Sequence, residues 1–158
     1  LFGPFDKASG AYVNWLGSST TTLAPGVGYR AASSDNSTFT FTGTANTSGD
    51  VLVTITNVGP SFAEWNLIGN PLPSYLNIQD FLNNTANAAL LDENNVGIYG
   101  YDGAASDGWT ILNLATTTAT DVMTPGQGFF VAAEGVGNIT FTQSMRRTGT
   151  SDDFIVGR

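Results

Sequence analysis

Leu23-Ala24-Pro25-Gly26-Val27-Gly28-Tyr29-Arg30-Ala31-Ala32 is matched, one hundred positions later, by Met123-Thr124-Pro125-Gly126-Gln127-Gly128-Phe129-Phe130-Val131-Ala132. Thr38-Phe39-Thr40-Phe41-Thr42 matches Asn138-Ile139-Thr140-Phe141-Thr142 at the same offset, without a gap. A register kept through an intervening loop of different sequence marks one supersecondary unit used twice. In each copy Pro-Gly has the residues of a type II turn, proline presetting φ at the first corner and glycine supplying the positive φ of the second. Gly28 and Gly128 then let the backbone enter a strand through a bulge or a close approach. The alternation of threonine and phenylalanine over residues 38–42 predicts a half-buried strand with Phe39 and Phe41 on one face.

The copies share turn residues and inward-facing strand positions, whereas positions that could touch a ligand differ, Arg30 standing against Phe130 and Asp35 against Gly135. The repeat is therefore a property of the scaffold. Function is expected where the copies diverge, or in the unrepeated segment from Trp65 to Trp109.

Outward from the repeat, residues 50–56 (Asp-Val-Leu-Val-Thr-Ile-Thr) predict a strand after the turn cluster Asn46-Thr47-Ser48-Gly49. Trp65-Asn66-Leu67-Ile68-Gly69-Asn70-Pro71 reads as a short buried strand ending in a rigid proline turn. Residues 78–91 hold the one helix pattern, with Ile78, Phe81 and Leu82 at helical spacing, Asn77 as its cap and Asn83-Asn84-Thr85 as its break. Residues 96–101 and 109–114 read as strands around an acidic, glycine-rich turn at 102–108, and Phe154-Ile155-Val156 as a last edge strand or linker. Short strands at intervals of roughly ten residues predict an all-β, antiparallel β-sandwich, jelly-roll-like, with at most one short helix. A barrel is the alternative. One domain is expected over residues 1–158, its pseudo-repeat halves near 11–56 and 96–147, excised from a larger secreted protein.

Of the 158 residues 41% are hydrophobic and 11% charged, so the surface must be built from Thr, Ser, Asn and Gly, as in extracellular β-proteins. A net charge of −8 with five basic residues argues against nucleic acid and anionic membranes as partners. Without cysteine or histidine there is no disulfide framework, no thiolate or imidazole metal site, and no Ser-His-Asp or Cys-His catalysis. No run has the length of a membrane-spanning helix, so membrane insertion is not expected.

Trp65-Asn66-Leu67-Ile68-Gly69-Asn70-Pro71-x-Pro73-Ser74, Ile98-Tyr99-x-Tyr101-Asp102, Pro125-Gly126-Gln127-Gly128-Phe129-Phe130-Val131 and Ile139-Thr140-Phe141 with Arg146 together resemble the β-rich modules of large secreted Bacteroidetes proteins. Those modules commonly precede a type IX secretion sorting domain. The resemblance spans residues 12–147 and implies a secreted or cell-surface context and a multidomain parent, whose other domains would be partners. It implies no catalytic residue. Leu72 stands where an aromatic is common, and Asn77-Ile78-Gln79-Asp80 replaces an Ile-Asp-Trp string.

Sugar-binding sandwiches expose aromatic faces flanked by planar hydrogen-bonding groups, because a pyranose stacks its apolar face on a ring while its hydroxyls take polar partners. Trp109 with Tyr101, beside Asp102 and Asp107, is the leading candidate pair for a polysaccharide or cell-surface glycan; Tyr75, Tyr12 and Trp15 are further candidates. Trp65, Phe41, Phe129 and Phe141 are expected in the core. Calcium is the metal the composition permits, since it takes oxygen ligands, with Asp92, Glu93, Asp102 and Asp107 as the clustered donors. No other cofactor is expected, and the thirteen acids, mostly in turns, do not define a carboxylate pair for hydrolysis, so an enzyme is not expected. The expected role is a non-catalytic extracellular accessory module for carbohydrate binding or surface adhesion, the alternative being a structural spacer or a subunit of an extracellular assembly.

Overall fold

In a computed structural model, residues 1–35, 38–101 and 108–150 are described, and they form an all-β fold of antiparallel sheets with small helices. The strands are β1 (Phe2–Asp6), β2 (Ala11–Tyr12), β3 (Tyr29–Ala31), β4 (Val51–Ile55), β5 (Trp65–Gly69), β6 (Tyr75–Asn77), β7 (Ile98–Tyr101), β8 (Trp109–Leu112), β9 (Val122–Met123), β10 (Gly128–Ala132), β11 (Gly137–Phe141) and β12 (Arg146–Arg147). The sheet orders are β2-β1-β3, β5-β10-β7-β8, β11-β4 and β12-β6-β9.

Alternation builds the core. In β4 residues 51, 53 and 55 point inward and 52 and 54 outward; in β11 Ile139 and Phe141 are fully buried. The two strands pair over five residues, Ile139 opposite Val53 and Phe141 opposite Val51. Facing them are Ile68 of β5, Phe129 and Val131 of β10 and Ile98 of β7, giving a sandwich-like apolar interior. The expected helix is two pieces, α1 (Ile78–Asn83) and α2 (Thr85–Ala88), because Asn84 is extended and caps the second through Ala86 and Asn87 N–H. Asn77 caps the first by accepting from the Asp80 N–H at 2.8 Å. Phe81 of α1 reaches into the core between Phe129 and Phe141, at ring distances of 5.6 and 5.3 Å.

Both Pro-Gly turns form as their residues predict. Gly26 and Gly126 have φ of 76° and 75°, and in each the residue after glycine donates to a carbonyl three residues back at 3.3 Å. The turns meet on β5. Gly69 N–H donates to Gly26 C=O, Asn70 N–H donates to Gln127 C=O, and Gly126 N–H donates to Asn70 C=O.

The second parts of the copies differ. Residues 138–141 lie in β11, whereas residues 38–42 are irregular and exposed, with Phe39 at 41% and Phe41 at 62% of full exposure. The half-buried strand and core phenylalanine expected there are corrected by this finding. Pairing is the reason: β11 has β4 beside it, but none of residues 38–42 makes a backbone hydrogen bond to another described residue. β-propensity without a neighbouring strand leaves the backbone to water. Trp65, expected in the core, is only half-buried, since alternation places Asn66 and Ile68 inward.

Candidate functional site

Strand alternation also decides what the four-stranded sheet shows on its outer side. Pairing sets Phe130 opposite Leu67 and Tyr99, Tyr99 opposite Ile111, Tyr101 opposite Trp109, and Ala132 opposite Trp65. Directly opposed residues share a face. That face is therefore apolar and aromatic across all four strands, and half-buried or exposed except at the buried Ala132, while the alternate residues Phe129, Val131, Ile68 and Ile98 fill the interior. Tyr101 is 62% exposed and Trp109 40%.

The rings form a ladder of edge contacts. Tyr101 and Trp109 are 5.4 Å apart with planes at 71°, and Trp109 and Phe130 5.5 Å apart at 74°. Trp65 meets Tyr99 at 4.7 Å and 82°. Such edge-to-face pairs stabilise by about 0.5–1.5 kcal/mol each beyond area burial. They make a corner, not the flat platform that a stacked sugar ribbon would need. Burial raises the Tyr99 hydroxyl above the ordinary tyrosine range, and the Asp92 carboxylate adds to the effect, so this rim is an uncharged hydroxyl donor at neutral pH.

The structure thus brings Tyr101 and Trp109 together, sets Phe130 against the indole, and carries Tyr99, Ile111 and Trp65 on the same face. The adjacency Phe129-Phe130 carried the signal for Phe130, since neighbours in a strand point to opposite faces. Asp102 and Asp107 lie outside the described residues. Tyr75 belongs to a different sheet, β12-β6-β9, with Gly149 against its ring. Tyr12 carries the Arg30 guanidinium over its face at 4.2 Å, and Trp15 packs on Phe2 and Tyr29 at 5.9 and 5.6 Å, so neither presents an open ring of the kind expected.

Of the expected calcium donors, Asp92 accepts from Asn94 N–H at 3.0 Å and from Asn95 Nδ2 at 2.9 Å, closing a local turn, and Glu93 is exposed. Asp92 shares a hollow of about 310 Å³ with Glu64, Glu134, Asn57 and Asn95. Among the described residues no three carboxylates come close enough to hold a metal ion. Near its rim Lys7 donates to the Thr56 and Ala63 carbonyls and to Asn66 Oδ1. Desolvation lowers the Lys7 ammonium below the usual lysine range, partly opposed by Glu64.

The Trp-Asn-Leu-Ile-Gly-Asn-Pro string is scaffold. Asn66, 6% exposed, donates to the Thr56 and Glu64 carbonyls at 2.9 and 2.8 Å and accepts from Thr56 N–H at 3.0 Å, binding β4 to β5. Asn70, 3% exposed, donates to the Ser74 and Thr124 carbonyls and accepts from Leu72 N–H, all at 3.0 Å. Buried amides so completely satisfied hold backbone segments in place and leave nothing for a ligand.

An all-β domain with an apolar, aromatic outer sheet face is the class of protein these features define. Over residues 4–156 the chain matches the family described as a domain of unknown function (DUF8693), and it belongs to that family. No curated protein and no solved structure matches it. No helix among the described residues is long and apolar enough to cross a membrane.

Proposed function

We propose that the chain is a non-catalytic extracellular accessory module that binds a carbohydrate through the outer face of the four-stranded sheet. The observation that supports this reading is the exposed aromatic corner of Tyr101, Trp109 and Phe130 on a domain with 11% charged residues. A pyranose has apolar C–H faces and polar edges, and it can rest one face on the indole while the perpendicular phenol closes its side. A corner of this kind suits a chain end or a bent linkage better than a long flat ribbon. The bulk of the chemistry is apolar contact, for which the low surface charge is an advantage.

Affinity gel electrophoresis against neutral plant, algal and bacterial polysaccharides tests the reading, with calcium present and then chelated. Retardation by at least one glycan is expected, and Trp109→Ala should weaken it by about tenfold, the worth of one good aromatic contact. Absence of retardation by every glycan, or equal retardation of the variant, overturns it. A subunit or spacer role is the second reading, and the exposed phenylalanines of the first repeat favour it.

A further inference from the structure

The hairpin used twice in this chain is completed once. In the second copy Phe129 and Phe141 have Phe81 between them and β4 paired alongside β11. In the first copy the corresponding rings, Tyr29 and Phe41, have Phe2 between them, at 5.5 and 5.8 Å. Phe2 of β1 therefore takes the part of Phe81. Among the described residues no strand takes the part of β4. Residues 38–42 are left with a strand's alternating sequence, no backbone partner among the described residues, and two exposed phenylalanines. Phe41 stands with Phe2 and Tyr29 on the wall of a groove of about 320 Å³, whose floor includes Gly69 and Gly126.

We propose that residues 38–42 and this groove receive an extended segment of a different protein, which adds as a β-strand antiparallel to residues 38–42 with aliphatic side chains at alternate positions. The second copy supplies the template: β4, Val-Leu-Val-Thr-Ile, places Val51, Val53 and Ile55 on the face shared with Ile139 and Phe141. Main-chain hydrogen bonds would supply affinity, and the groove would select the inward side chains. A second copy of this chain is a poor occupant, because its own β4 is locked into its core and a net charge of −8 on each molecule opposes association. The same charge favours a segment flanked by lysine or arginine. This inference stands apart from the glycan reading, since it uses the other end of β5 and none of the Tyr101–Trp109 corner.

The probe is a synthetic peptide carrying the Val51–Ile55 sequence with two lysines at each end, fluorescently labelled and titrated with the protein while anisotropy is read. Saturable binding below about 1 mM is expected, weakened at least about tenfold by Phe41→Asp and lost when proline replaces the central valine of the peptide. Phe41 is exposed, so the variant should stay folded with a cooperative urea transition, and Phe39→Asp is a second variant with the same expected loss of peptide binding. Three results overturn the proposal: no saturation, equal binding by the variants or by the proline peptide, or a dimer of the protein alone in sedimentation that Phe41→Asp dissolves. The last would make a second copy the occupant. Binding of the peptide with no retention on any glycan would leave this proposal standing while the glycan reading falls.

Discussion

Phe41 and Phe141 hold corresponding places in two copies of one hairpin, and one is 62% exposed while the other has no exposed surface. Their turns agree in φ to within a degree or so and in hydrogen-bond length. What separates them is what the rest of the chain lays beside each. The strand of the second copy lies against β4 and α1; the first copy seats its Gly26 turn on Val53 of β4 and its rings on β1, but beside residues 38–42 there is nothing among the described residues. A local motif thus carries its turn wherever it goes, but its strand exists only where another strand answers it.

The largest effect should come from truncating the two rings. Phe141→Ala removes a fully buried ring and should cost about 3–5 kcal/mol, whereas Phe41→Ala should cost no more than about 1 kcal/mol. Urea unfolding of both variants measures the difference, and equal losses would mean that the first copy is covered after all. The glycines come next. Alanine at Gly126 meets no atom within 4 Å and bears only the strain of a positive φ, about 1–2 kcal/mol. Alanine at Gly26 bears that strain and also drives its Cβ to 2.2 Å from Val53 Cγ2, so about 1–3 kcal/mol more is expected. If the two variants unfold at the same denaturant concentration, the first turn is not seated on β4 as described.

The smallest effect is acid loosening of the β1–β2 turn, on the strand that pairs with the first copy. Asp6, at the turn between β1 and β2, accepts from Ser9 Oγ at 2.6 Å, from Ala8 N–H at 3.1 Å and from Ser9 N–H at 3.2 Å, and these bonds hold its carboxyl below the ordinary value of 3.8. A folded-state value below the unfolded one contributes stability above the unfolded value and loses it as pH falls through the folded one. Amide exchange at Ala8 and Ser9 should therefore speed up relative to the core below about pH 4, when intrinsic rates are divided out. Exchange in β11 should not follow, because β11 is held by the β4 ladder, apolar packing and the uncharged Asn87 amide. An Asp6→Asn variant should lose the pH dependence; if it keeps it, some other group is responsible.

Much of the fold was legible. The strands at 51–55, 65–69 and 98–101 and the cap at Asn77 fall where alternation and capping residues place them. So do β7 and β8, which pair antiparallel and set Tyr101 opposite Trp109. β1 was not legible, because Phe-Gly-Pro-Phe-Asp has glycine and proline at its centre and is a strand only through β2 and β3. The breadth of the aromatic face was hidden too. Trp65, Tyr99 and Phe130 come from three separate strands, and only the register of β10 between β5 and β7 places them on one side.

By itself, then, the sequence determined what depends on neighbours in the chain: two type II turns from Pro-Gly, alternation in the strands, an asparagine cap, and a sparsely charged surface. Tertiary structure decided which copy of the repeat is core and which is open, and which aromatic rings meet. Backbone conformation near a proline or glycine is set within a few bonds, but a strand's hydrogen bonds and a ring's burial are supplied by residues up to a hundred positions away.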